Sequence, residues 1–122
     1  MRTITDHKLS DLNQAIEITV MDEPGPGGAN HIYQLDIKLG NAVLTGPEIK
    51  FQKGAVKEAG SNGISDEALL AVNIDRLRGF QAGPFSCREN AVALTHMETA
   101  LLWLQKRTRD RMARGVEGQS KP

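Results

Sequence analysis

Ser65-Asp-Glu-Ala-Leu-Leu-Ala-Val-Asn-Ile-Asp-Arg-Leu-Arg-Gly-Phe-Gln-Ala-Gly-Pro-Phe-Ser-Cys-Arg-Glu89 holds a whole helix, its stop and the start of the next. Ser65 followed by Asp66 and Glu67 is an N-cap with acids in the first turn, where the helix dipole favours them. Leu69, Leu70, Ala71, Ile74, Leu77 and Phe80 then recur at helical spacing. Gly83-Pro84 ends that run, and Ser86-Cys-Arg-Glu89 spells a capping box for a second helix. From Asn90 to Ala113 there is no Gly or Pro, and Gly115 stands where a helix takes a left-handed terminator. Helices over about 66–81 and 87–113 would span roughly 24 Å and 40 Å at 1.5 Å per residue. Folded back on each other, they leave about 16 Å of the second helix overhanging.

Upstream the period changes from 3.6 to 2. Ile16, Ile18 and Val20 alternate with Glu17 and Thr19; Tyr33, Leu35, Ile37 and Leu39 alternate with Gln34, Asp36 and Lys38. Ala42–Thr45 and Ile49–Phe51 read as two shorter strands separated by Gly46-Pro47. Between the first two strands, Glu23-Pro-Gly-Pro-Gly-Gly-Ala-Asn30 is too rich in Gly and Pro for a regular element. It lacks the Lys-Ser/Thr of a phosphate-binding P-loop and no helix follows it, so it reads as a hairpin turn. Short connections favour an antiparallel meander. The fold class is therefore α+β: an N-terminal antiparallel β-meander followed by a C-terminal antiparallel helical hairpin.

At 122 residues the chain has the length of a single domain. The sheet is expected at about 14–53, the hairpin at about 64–115 and a tail at 116–122. Fifteen Lys+Arg balance fifteen Asp+Glu, which argues against an electrostatic binder of DNA or membranes. No apolar run approaches a membrane span and no signal-peptide pattern opens the chain, so a soluble, cytosolic protein is expected. The lone Cys87 excludes an internal disulfide.

The balance hides a gradient. Residues 1–30 carry a local net of −3, from Asp6, Asp11, Glu17, Asp22 and Glu23 against Arg2 and Lys8. Residues 104–114 carry +4, from Lys106, Arg107, Arg109, Arg111 and Arg114 against Asp110. That end calls for an anionic ligand, or for the acidic N-terminal region of this or a neighbouring chain. On a helical wheel Leu94, Met97, Leu101, Leu104 and Thr108 share one face, and Arg107, Arg111 and Arg114 form a stripe beside it, in line with Trp103. Guanidinium groups both bond phosphates and stack on planar rings. The same stripe also fits a solvated face complementing the negative end of the helix dipole. Phe80 and Phe85 around the turn read either as local core or as a stacking platform, and Asn90 either as a capping residue or as a ligand contact.

Catalytic signatures are missing. His7, His31 and His96 form no H-x-x-x-H pair, and His31-Ile-Tyr33 and His96-Met-Glu98 are not the H-x-T/S pair of a two-histidine phosphoesterase. No paired acids mark a metal site, and Cys87, without a histidine partner, reads as structural. No catalytic residue, metal or cofactor is expected.

Several strings together carry a family resemblance. They are Gly63-Ile-Ser-Asp-Glu-Ala-Leu-Leu70, Asp75-Arg-Leu-Arg-Gly-Phe-Gln-Ala-Gly-Pro-Phe85, Arg88-Glu-Asn90, Trp103-Leu-Gln-Lys-Arg-Thr-Arg-Asp-Arg111 and Ala113-Arg-Gly-Val-Glu-Gly118. In this order, over about residues 49–118, they closely resemble a phage helical-hairpin family comprising the first Thoeris anti-defence proteins and the second anti-CBASS proteins. The strands with Asp22-Glu-Pro-Gly-Pro-Gly-Gly-Ala29 resemble the Thoeris branch, since the CBASS branch is shorter and mainly helical. The resemblance implies a non-enzymatic sponge in the host cell cytoplasm. Such a sponge holds a cyclic ADP-ribose-type signal, and in some members cyclic di- or trinucleotides, in pockets between subunits of a homo-oligomer, dimer or hexamer. It also implies that Phe80 and Arg107 sandwich the adenine, that Asn90 with Arg111 contacts phosphates, and that Arg88 serves a separate trinucleotide pocket. An enzyme hydrolysing such nucleotides and a purely structural phage protein are the alternatives.

Overall fold

The computed structural model describes residues 1–121; Pro122, the last residue of the expected tail, lies outside the described residues. Two compact units divide the chain, Met1–Ile64 and the part from Ser65 onward.

The first unit is built on four antiparallel strands in chain order, β1 (Arg2–Ile4), β2 (Ile16–Val20), β3 (Ile32–Leu39) and β4 (Ala42–Lys50). The alternation sets the register: Ile16 faces Ile37, Ile18 faces Leu35 and Val20 faces Tyr33, which puts the apolar residues of both strands on one side. β1 adds Ile4 opposite Ile18, and a short helix α1 (Asp11–Ala15), capped by the Ser10 hydroxyl, joins β1 to β2. Neither element is legible in the sequence. Three strand residues are too few to show a period, and α1 has barely more than one turn.

The expectation of two strands at 42–45 and 49–51 is corrected. β4 runs unbroken through Gly46-Pro47, because those two residues together oppose the single Leu35 as a bulge. The bulge requires glycine: a Cβ on Gly46 would lie 2.3 Å from the Leu35 carbonyl oxygen. The Gln34 side chain stitches it, donating to the Gly46 carbonyl at 2.9 Å and to Asp36 Oδ1 at 3.0 Å. Beyond β4, after a one-turn helix α2 (Val56–Ala59), the chain returns to pair Ile64 with Phe51 in parallel. Gly63 passes so close to the Phe51 backbone that a Cβ there would lie 2.4 Å from its carbonyl carbon.

The second unit is the hairpin, α3 (Asp66–Gln81) and α4 (Arg88–Ala113). Ser65 caps α3 as expected, its hydroxyl accepting from the Ala68 amide at 3.1 Å. The capping box expected for α4 is corrected by one residue: Cys87, not Ser86, is the N-cap, with Sγ accepting from the Asn90 amide at 3.5 Å. The cause lies in α3. Gln81 accepts from the Cys87 amide at 3.1 Å and donates to the Cys87 carbonyl at 3.0 Å, fixing Cys87 in an extended conformation that turns its side chain onto the helix start. An ion pair between Arg78 and Glu98, at 2.7 Å, crosses the hairpin. With 16 and 26 residues, the helices differ in length by about 15 Å, and the excess is the basic end of α4.

Candidate functional site: the basic end of the long helix

α4 ends in a Schellman motif. Gly115, at φ 72°, donates to the Met112 carbonyl, and Val116 donates to the Arg111 carbonyl, both at 3.0 Å. This turns residues 116–121 back over the helix that precedes them. Around the last three turns lies a cavity of about 470 Å³, lined by Trp103, Lys106, Arg107, Asp110, Arg111 and Arg114. That volume falls within the range of small-molecule sites, roughly 300–1,000 Å³. The expected stripe of Arg107, Arg111 and Arg114 beside Trp103 is thus on one wall. Trp103 offers an open ring face, being 67% exposed.

Lys106 and Asp110 also line the cavity, and the stripe read from the sequence leaves both out. They form an i,i+4 ion pair at 2.7 Å, so their charges offset each other. Their places on the wheel, on the face of Trp103, are the signal that would have found them. Arg107 is exposed and makes no hydrogen bond or ion pair among the described residues. Arg111 differs: it is 8% exposed, and its guanidinium donates from Nε to Glu117 Oε2 at 3.2 Å and from Nη2 to the Val116 and Gln119 carbonyls at 2.9 and 2.8 Å. Nη1 donates to the Lys121 carbonyl as well. Four of its five N–H bonds are therefore committed to the tail. No periodicity reveals Glu117 as a partner, because it lies past the helix end.

The other expected residues lie at the hairpin turn. Phe80, in the last turn of α3, is 40% exposed, and the guanidinium carbon of Arg76 sits 5.5 Å from its ring centre. Arg88 and Asn90 occupy the first turn of α4. The Asn90 amide takes the Cys87 cap, while its side chain makes no hydrogen bond among the described residues. Phe80, Arg88 and Asn90 thus group at one end of α4, and Arg107 and Arg111 at the other. The axial separation from Asn90 to Arg107 is roughly 26 Å at 1.5 Å per residue. One chain does not bring the two groups together.

In the first unit, the Gly/Pro-rich segment closes the β2–β3 hairpin with a short 3-10 turn at Pro26–Gly28. Its base is held by Asp22, whose carboxylate accepts from the amides of His31 and Ile32 at 3.0–3.2 Å. Burial alone would raise the Asp22 carboxyl, but these donated amides outweigh it and hold it below the ordinary aspartate value. Glu17 is also held low, chiefly by the hydrogen bond from Lys8, with burial opposing and the Lys38 charge adding.

The fold and the basic helix end define a class. The hairpin-domain model of the Acb2/Tad1 family matches residues 44–109, just over half the chain, and the protein belongs to that family. Among curated proteins it is similar to Thoeris anti-defense 1 from Bacillus phage SBSphiJ7, at 54% identity over 70 residues. Those residues make up 57% of this chain and 49% of that protein, so the match spans about half the length of the relative. The resemblance read from the hairpin strings is therefore correct.

Proposed function

We propose that the protein is a phage anti-defence sponge that binds a cyclic ADP-ribose-type signalling nucleotide between copies of itself and does not cleave it. The observation that carries this reading is the separation of Phe80 and Asn90 from Arg107 and Arg111, by about 26 Å of helix. A pocket that uses all four draws them from two chains. In that pocket the ring of Phe80 and the guanidinium of Arg107 sandwich the adenine, while Asn90 and Arg111 take the phosphates. Arg88 serves larger cyclic oligonucleotides, whether the assembly is a dimer or a hexamer.

The local charges favour an anionic ligand, and part of the acidic N-terminal region is not free to act as one. Glu17 and Asp22, two of the five acids in residues 1–30, are already engaged within their own unit. Family membership and the name of the phage relative support the anti-defence role, exercised in the host cytoplasm. A nanomolar affinity corresponds to about 12 kcal/mol. Base stacking at roughly 1–3 kcal/mol per base, with several charge-assisted bonds in an occluded cleft, is of the right kind to supply it.

The test is capture and release. The protein is incubated with glycocyclic ADP-ribose, freed of unbound nucleotide, denatured by heat, and the supernatant chromatographed. Intact nucleotide is the expected result; cleavage products would mean an enzyme, and none recovered would mean a structural protein. Arg107→Ala should weaken capture by about 10- to 100-fold with the hairpin still folded, the loss expected for one stacking and charge contact. Arg88→Ala should reduce capture of a cyclic trinucleotide more than that of the ADP-ribose signal.

A further inference from the structure

The cations around the cavity are not equivalent. Lys106, Arg107 and Arg114 are exposed, whereas Arg111 is buried and enclosed by main-chain oxygens of the tail. Burial of a guanidinium is tolerable only if its N–H groups are bonded. Carbonyl oxygens and one carboxylate meet that need here, and phosphate oxygens would meet it equally well. The same N–H bonds cannot serve both.

We infer that residues 115–121 form a strap that competes with the bound anion for Arg111, an inference that rests on the nucleotide-binding reading of this helix end. Two glycines at positive φ let the segment double back, Gly115 at 72° and Gly118 at 78°. Within it, Gln119 donates its amide to the Val116 carbonyl at 3.1 Å. Beyond these turns, bonds to Arg111 are among those that hold the strap down, and Glu117 is 43% exposed on the side chain. Such a segment opens at small cost compared with the helices. The strap stores Arg111 in a satisfied state while the pocket is empty and hands it over when phosphates arrive. Apparent affinity is then the intrinsic affinity reduced by the fraction of time the strap is open. By reciprocity, ligand must open the strap as much as an open strap favours ligand.

The test uses full-length protein. Gly118→Ala strains the strap by forcing a side chain onto φ 78° and leaves every charge in place. Calorimetric binding of glycocyclic ADP-ribose should tighten by up to about five-fold, the lower range of the left-handed penalty. Glu117→Gln should tighten it by about two-fold, since the carboxamide oxygen still accepts from Arg111 Nε and only the charge assistance is lost. In the parent protein, hydrogen exchange at the Val116 amide, which ties the strap to the Arg111 carbonyl, should accelerate when the nucleotide is added. Unchanged or weaker binding by Gly118→Ala, or a Val116 amide that stays protected in the complex, would overturn the strap.

Inorganic pyrophosphate, compared with chloride at equal ionic strength, separates this inference from the reading beneath it. If pyrophosphate accelerates Val116 exchange and glycocyclic ADP-ribose is not bound, the strap stands and the nucleotide reading fails. If glycocyclic ADP-ribose is bound, loses affinity in Arg107→Ala and leaves Val116 exchange unmoved, the strap fails and the nucleotide reading stands. If neither probe acts, both fail.

Discussion

Asp22 shows how one side chain ties the Gly/Pro-rich turn to the sheet. Its carboxylate closes the β2–β3 connection from below by accepting two successive amides, while the Asn30 side chain donates to the Asp22 carbonyl at 2.7 Å. Because the folded carboxyl is held below its unfolded value, the stabilisation is complete above the ordinary aspartate range. It is lost as pH falls through the lowered folded value. Thermal melts taken at successive pH values should therefore show the first unit weakening below about pH 4. Asp22→Asn should be less stable at neutral pH and show a shallower acid limb. Glu17, also held low, keeps part of that limb in the variant. Parallel acid limbs in the two proteins would remove Asp22 from this role. Nothing in the sequence singles Asp22 out among the acids before residue 30, because its role depends on which amides the hairpin leaves unpaired.

Among the elements, α3 and the body of α4 were legible because each signal was local and agreed with its neighbours: a hydroxyl cap, acids in the first turn, apolar spacing and a glycine stop. β2 and β3 were legible through strict alternation. The errors arose where a distant residue decided the outcome. Gly46-Pro47 looks like a chain break, yet Leu35 and Gln34 on the adjacent strand turn it into a bulge inside one strand. Ser86-Cys-Arg-Glu89 looks like a capping box, yet Gln81 on the preceding helix moves the cap to Cys87. If Gln81 sets that start, Gln81→Ala should cost about 1 kcal/mol, the usual net value of the bonds lost. For a unit of this size that is a fall of about 5 °C in the helix melting temperature by circular dichroism. Gln81→Glu, which keeps the acceptor and loses the donor, should fall between the two. A melting temperature unaffected by Gln81→Ala would mean that the α4 start is set without it. Of the candidate site, the basic wall of the cavity was legible from the helical wheel. The enclosure of Arg111 was not, because its partners lie on a segment without a period.

At the scale of the whole molecule, Val20 and Ile74 are the hydrophobic residues almost wholly shielded from solvent among those described, one in each unit. A two-helix hairpin with one such residue has little core of its own, and Val72, Leu102, Trp103 and Met112 remain largely exposed on its helices. Association with further copies would supply the missing burial and would also bring a turn end to a basic end. In a two-fold pair of the kind proposed above, each site would take Phe80 from one chain and Arg107 from the other. This makes a distinctive demand on mixtures of inactive variants. Phe80→Ala and Arg107→Ala should each bind poorly alone. When the two are unfolded together and refolded as a mixture, half of the pairs are mixed. Each mixed pair carries one site with both substitutions and one with neither. Capture of glycocyclic ADP-ribose should then return to about a quarter of the parent capacity, at parent affinity. If both residues served a site within one chain, mixing would restore nothing, since every chain would still lack one of them.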